Sequence, residues 1–173
     1  MLKMLTTQLN GLFQRIADKE ADQIEDGARL LAQAAVGEGK IYIKGFQEMK
    51  AVEAEAASGA EPLPCGCPLD SMDDLAGHDR VLLVSRFAHD PEAAAAAAAL
   101  RERGIPFVAV AGRMPNEEPS LAEMADVFID TKLTKGLLPD ENGGRTGFPS
   151  SLAALYIYFA LKLTIEEILQ ELE

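Results

Sequence analysis

One stretch limits the fold more than any other. Arg80 to Gly112 reads RVLLVSRFAHDPEAAAAAAALRERGIPFVAVAG. The runs RVLLVS and IPFVAVAG are apolar at nearly every position, without the alternation of a strand that faces water on one side. Strands of that kind are covered on both faces, which is the habit of parallel sheets. Between them, Pro91 to Arg103 is rich in the strongest helix former and stops at Gly104. Strand, helix and strand in that order make a right-handed crossover. The alanines keep the helix surface thin, so it can lie close against the sheet.

The remaining segments extend the same pattern. KIYIKG (Lys40 to Gly45) is a strand closed by a tight turn, and FQEMKAVEAEAASGAE returns to helical composition. PLPCGCPLDSMDDLAGHD is punctuated by Pro, Gly and Asp, a loop with room for one short strand. PSLAEMA is a short helix and DVFIDT a further strand. After the loop KLTKGLLPDENGGRTG, Phe148 to Glu173 forms a long helix, apolar first and acidic later. Upstream, Leu5 to Ala35 carries apolar residues at helical spacing, which fits two helices or one helix broken near Asp18 to Asp22. GEGK stops it. The reading is one α/β domain over 1–173: N-terminal helices in 1–37, an α/β core in 38–147 and a C-terminal helix in 148–173. A three-layer αβα sandwich with a five-stranded parallel sheet in the order 2-1-3-4-5 follows.

Composition narrows the function. Acidic residues outnumber basic ones, 28 to 16, for a net charge of −12. Such a chain repels phosphate backbones and anionic lipid, so nucleic-acid and membrane-surface partners are not expected. No secretory signal is visible, and the longest uncharged apolar stretch, Phe148 to Leu161, is too short to span a bilayer. A cytoplasmic location is expected. Cys65 and Cys67 form a C-x-C pair, at most two metal ligands with no further cysteine to complete a set. They read as reduced thiols in a surface loop. No metal is expected, and no hydride cofactor either, because no G-x-G-x-x-G follows a strand.

In an open parallel sheet, ligands bind beyond the carboxyl ends of the strands, where the strand order reverses. Here that point lies between KIYIKG and RVLLVS. The turn Gly45-Phe46-Gln47-Glu48 therefore faces the turn Ser85-Arg86-Phe87-Ala88-His89-Asp90. Ser85 offers a hydroxyl, and Arg86 a guanidinium that can grip an anion through two donors or instead pair with Glu48 or Asp90. Phe87 suits a packed lid or an interface residue more than a stacking platform. Gly45, Phe46 and Gln47 line the facing turn, with Lys44 and Lys50 as further cations. Asp90, followed by Pro91 and Glu92, reads as the N-cap of the alanine helix, filling amides that a phosphate would need. The loop ENGGRTGFPSS either folds over this cleft, bringing Arg145, or simply connects to the last helix. Proton transfer would fall to Glu48, Glu55, Glu61 or His89, the last more simply read as an exposed turn histidine.

These segments resemble the sugar isomerase (SIS) domain family. GKIYIKGFQEMKAVEAEAASG is similar to its first strand, glycine turn and helix. DRVLLVSRFAHDPEAAAAAAALRERGIPFVAVAG is similar to its next strand, serine turn, helix and strand. EDGARLLAQAAVGEG, GAEPLP, SRF and GFP resemble a bacterial SIS-like family without assigned activity, some of whose members are labelled phosphoheptose isomerases. The resemblance implies a homodimer and a sugar phosphate or other small anion as ligand, with an aldose–ketose isomerase as the enzymatic form. It also marks departures. The family's S-x-S-G-x-S/T turn survives only as Ser85, the G-N-G-G-S turn is replaced after Gly45, and Phe148 to Glu173 lacks the histidine that phosphoheptose isomerases use. A non-catalytic sensor or scaffold is therefore the alternative.

Overall fold

A computed structural model describes residues 1–172. The helix α1 (Leu2–Val36) is followed by β1 (Ile41–Gly45), a single 3-10 turn at Gln47–Met49 and α2 (Lys50–Ser58). Next come β2 (Gly66–Pro68), β3 (Arg80–Phe87), α3 (Pro91–Arg103) and β4 (Phe107–Gly112). The chain closes with α4 (Leu121–Met124), β5 (Val127–Asp130), the small hairpin strands β6 (Leu138–Pro139) and β7 (Arg145–Thr146), and α5 (Ser150–Glu171). The main sheet is parallel throughout, in the order β2-β1-β3-β4-β5.

The unbroken apolarity of β3 and β4 now has its cause. Leu82, Val84, Val108 and Val110 point into one core, with Leu12, Ile16, Ile157 and Leu161 from α1 and α5. Val81, Leu83, Phe107 and Ala109 point into the other, with Ala93, Ala97 and Leu100 from α3 and Leu121 from α4. Successive side chains alternate between two buried layers, so every position is apolar. α3 ends at Gly104 in the left-handed conformation, φ 68°.

Three expectations change. The N-terminal region is one continuous helix, without a break near Asp18 to Asp22. Glu20, in the middle of that charged stretch, is buried; it accepts a hydrogen bond from the Asp130 amide (3.0 Å) and pairs with Lys132 (2.5 Å). The Pro/Gly loop has its short strand, and Cys67 of the C-x-C pair lies in it rather than in the loop: Gly66 to Pro68 pairs with Ile41 to Ile43. Both thiols are free, and burial pushes both upward. The loop before α5 contains the β6–β7 hairpin, too short to leave a periodic signature.

Gly45 ends β1 because nothing larger fits. A Cβ there would stand 2.2 Å from the Met49 carbonyl oxygen. The chain can therefore fold back at once into the 3-10 turn that carries Glu48. Among the described residues no helix is long and apolar enough to cross a membrane.

Candidate functional site

The carboxyl ends of β1 and β3 meet the start of α5, and a cavity of about 560 Å³ opens there. Glu48, Arg86, Phe87, Phe148, Ser150 and Ser151 line it. β3 runs two residues past the apolar segment, and its pairing with β4 shifts between Val84 and Phe87. That irregularity leaves Ser85 fully buried while Arg86, next along the chain, is partly exposed and reaches Glu48.

Arg86 and Glu48 form a bidentate pair. Nε donates to Oε1 and Nη2 to Oε2, both at 2.7 Å. The Ser150 hydroxyl donates to the same Oε1 at 2.6 Å. The Arg86 hydrogen bonds, opposed by partial burial and helped by Ser150, hold the Glu48 carboxyl down at about 2. Its partner is shifted the opposite way: the Glu48 carboxylate raises the Arg86 guanidinium. Such a carboxylate is a poor general base near neutral pH, because its proton affinity is far below the working range. Aromatic rings close one wall. Phe87 meets Phe148 edge to face at 5.6 Å and stacks on His89 at 5.5 Å between centroids.

Asp90 does not cap α3. It stands at the N-cap position, but its side chain makes no capping bond. Instead Oδ2 accepts from the Ser85 hydroxyl (2.6 Å) and from the Phe87 amide (3.0 Å). These two donors at the bulge hold the carboxylate in place of the helix amides. Ser85 is thereby turned inward, and it does not line the cavity.

The other sequence candidates scatter. The Gly45 amide donates to Glu53 (2.9 Å), Phe46 packs into the α3-side core, and Gln47 adopts a left-handed backbone with φ 52°. All three shape the turn, and none lines the cavity. Lys44 donates to the Leu69 carbonyl at 3.3 Å. Glu55 accepts from the Glu61 amide (3.0 Å) at the far end of α2, and Glu61 pairs with the buried Lys162 of α5. Neither carboxylate reaches the cleft. His89 is half-buried rather than exposed, and its Nδ1 has no hydrogen-bond partner among the described residues. Arg145 lies elsewhere, with its guanidinium on the Gly136 and Leu137 carbonyls.

Three cleft residues do not stand out in the sequence: Phe148, Ser150 and Ser151. GFPSS reads as a connection and a helix start, which it also is. Its signal is the pair of hydroxyls at the first turn of α5. Lys162 is equally inconspicuous. It hides in an apolar helix, yet Glu61 and Glu166 both reach it and raise its pKa. Beside it the Tyr158 hydroxyl donates to the Glu61 carbonyl at 2.5 Å, and burial pushes that phenol up to about 12.

Residues 1–169 match the family described as Domain of unknown function (DUF2529). The chain is 44% identical over 172 residues to the uncharacterised protein YwjG of Bacillus subtilis (strain 168), covering 99% of each chain. The structure of E. coli CFT073 c3406, solved in complex with a sugar phosphate, superposes with a TM-score of 0.76 at 17% identity, covering 98% of this chain and 89% of that one. The sugar isomerase domain of the RpiR transcription factor from Sphaerobacter thermophilus gives a TM-score of 0.60 at 13% identity, over 99% and 96%. At these identities the structural likeness is one of fold, and the fold is the sugar isomerase (SIS) fold. By sequence, the chain belongs to the DUF2529 family.

Proposed function

We propose that this protein binds a sugar phosphate in the Glu48–Arg86 cleft and does not isomerise it. The observation that carries this reading is Arg86, held in a bidentate pair by Glu48 beside the Ser150 hydroxyl, at the point where the strand order reverses. A guanidinium there is a grip for a phosphoryl group, with Glu48 as the resting counter-ion that an incoming anion displaces. The hydroxyls of Ser150 and Ser151 supply neutral donors beside it, and Phe87 and Phe148 offer an apolar wall for the rest of the ligand. The E. coli complex and the transcription factor with a sugar isomerase domain lend support, since this fold accommodates a sugar phosphate in one and a regulatory protein in the other.

Isomerase chemistry finds no base in this cleft. Glu48 is locked low, Glu55 and Glu61 lie away from it, and His89 does not line it. A sensor or scaffold role follows. The protein is proposed to work as a homodimer through the α1–α5 layer. Leu152, Phe159 and Leu163 stand exposed along α5 (47%, 38% and 55%), and an open groove of about 680 Å³ runs between α1 and α5. Their spacing places them on one helix face.

The test is thermal unfolding with a panel of pentose, hexose and heptose phosphates at millimolar concentration. Binding at 100 times Kd adds about 2.7 kcal/mol, a rise of roughly 5–10 °C for a chain of this length. Arg86→Ala should abolish the rise. A panel that moves no transition would defeat the reading, and turnover of any panel member in an aldose–ketose assay would defeat its non-catalytic half.

A further inference from the structure

We propose that a second anion site lies beyond the carboxyl end of β5 and takes a small phosphate-bearing molecule. A cavity of about 330 Å³ opens there, within the size range of small-molecule sites. Gln8 and Arg15 of α1, the loop Lys132 to Leu137 and Arg145 of β7 form its walls. It shares no lining residue with the Glu48–Arg86 cleft.

The charge distribution carries the proposal. The chain has 16 basic residues against 28 acidic ones, yet Arg15, Lys132, Lys135 and Arg145 all line this one cavity and, among the described residues, no carboxylate does. Lys132 is neutralised from behind by Glu20 (2.5 Å) and Asp130 (3.3 Å). Arg15, Lys135 and Arg145 have no carboxylate partner among the described residues. Arg145 is held by neutral acceptors instead: Nε donates to the Gly136 carbonyl (2.6 Å) and Nη2 to the Leu137 carbonyl (2.8 Å). That fixes the guanidinium and leaves its charge uncompensated. Asp140 of the hairpin accepts from the amides of Asn142 (2.8 Å) and Gly144 (2.7 Å) and does not line the cavity.

The end of β5 that carries the loop is fixed before any ligand arrives. Asp130 Oδ1 accepts from the Lys132 amide at 2.8 Å, and Glu20 ties the end of β5 to α1 through the Asp130 amide. Thr134 and Gln8 add neutral donors to the lining. Three cations without counter-ions, two of them arginines, suit an oxyanion of two or more charges. The overall charge of −12 sets the size limit: a polyanion would meet repulsion from the rest of the surface, while a small molecule meets only the local field.

The test is a titration of the isotopically labelled full chain with inorganic phosphate, followed by amide chemical shifts at constant ionic strength with chloride as control. Saturable shifts at Thr134, Lys135 and Gly136 are expected. Arg15→Gln with Lys135→Gln, both at exposed positions, should weaken them at least tenfold. Arg86→Gln should leave them unchanged, which separates this site from the cleft; saturation of both sets of amides still supports two sites. Non-saturating drift in the wild type, equal affinity in the double variant, or shifts confined to residues around Glu48 and Arg86 would each overturn the proposal.

Discussion

Glu48→Gln should destabilise the protein and tighten its hold on anions at the same time. The folded carboxyl is held at about 2 from an ordinary 4.5, chiefly by the Arg86 hydrogen bonds. Fully shielded, that difference would be worth about 3 kcal/mol. Solvent reaches both side chains, 30% exposed for Glu48 and 41% for Arg86, and screening reduces the figure to about 1–2 kcal/mol. The sign follows from the lowered value: the contribution is complete above about pH 4.5 and fades as pH falls toward about 2. Urea unfolding of wild type and variant from about pH 7 to about pH 2.5 should therefore show a gap that closes through that window. The ligand side is the mirror image. With Glu48 uncharged, Arg86 no longer has to be pulled from a counter-ion, and affinity for a sugar phosphate should rise about 5–30-fold, the equivalent of the same 1–2 kcal/mol. A stability gap that is constant with pH would show that the ion pair is not its source. Weaker ligand binding in Glu48→Gln would show that Glu48 contacts the ligand rather than guarding Arg86.

Glu20→Leu removes the acceptor of the Asp130 amide and one of two carboxylates on Lys132, so it should cost about 2–4 kcal/mol and speed hydrogen exchange at the end of β5. A change below about 0.5 kcal/mol in urea unfolding would refute the role given to this buried acid. Light scattering of the wild type should give twice the 18.6 kDa chain mass, and Leu163→Glu should return it to the mass of one chain with its unfolding transition retained. A wild type already at the mass of one chain would remove the proposed homodimer.

The sheet was legible because its signal is local. Residues 81 to 84 and 107 to 111 must be apolar on both faces, and that constraint appears as two unbroken runs whatever the rest of the chain does. What failed to show were pairings across long separations. Glu20 lies 110 residues from Asp130, and without that partner its charge suggests a break in a helix that is in fact continuous. Lys162 finds Glu61 across 101 residues, and Ser150 finds Glu48 across 102. The Arg86–Glu48 pair was visible as one option because the strand order places their turns face to face. Arg145 was not assignable, since whether a glycine loop folds over a cleft or pairs with itself depends on the two-residue strands β6 and β7, which leave no period to read.

Asp90 explains why the cleft lies where it does. In a serine-rich phosphate turn the hydroxyls and the amides after the strand face the bound anion. Here the Ser85 hydroxyl and the Phe87 amide both converge on one oxygen of Asp90. With both taken by that carboxylate, neither the Ser85 hydroxyl nor the Phe87 amide is free for a ligand. Displacing it would strand a partly buried carboxylate, a cost that a screened surface anion cannot readily meet. The donors that remain beside the turn are Arg86, one residue further on, and the Ser150 and Ser151 hydroxyls of α5. Arg86 is held by Glu48, a carboxylate that solvent reaches and that can be solvated when released. On the proposed reading, the anion therefore sits on the α5 side of the turn, and it is Glu48, not Asp90, that must move to admit it.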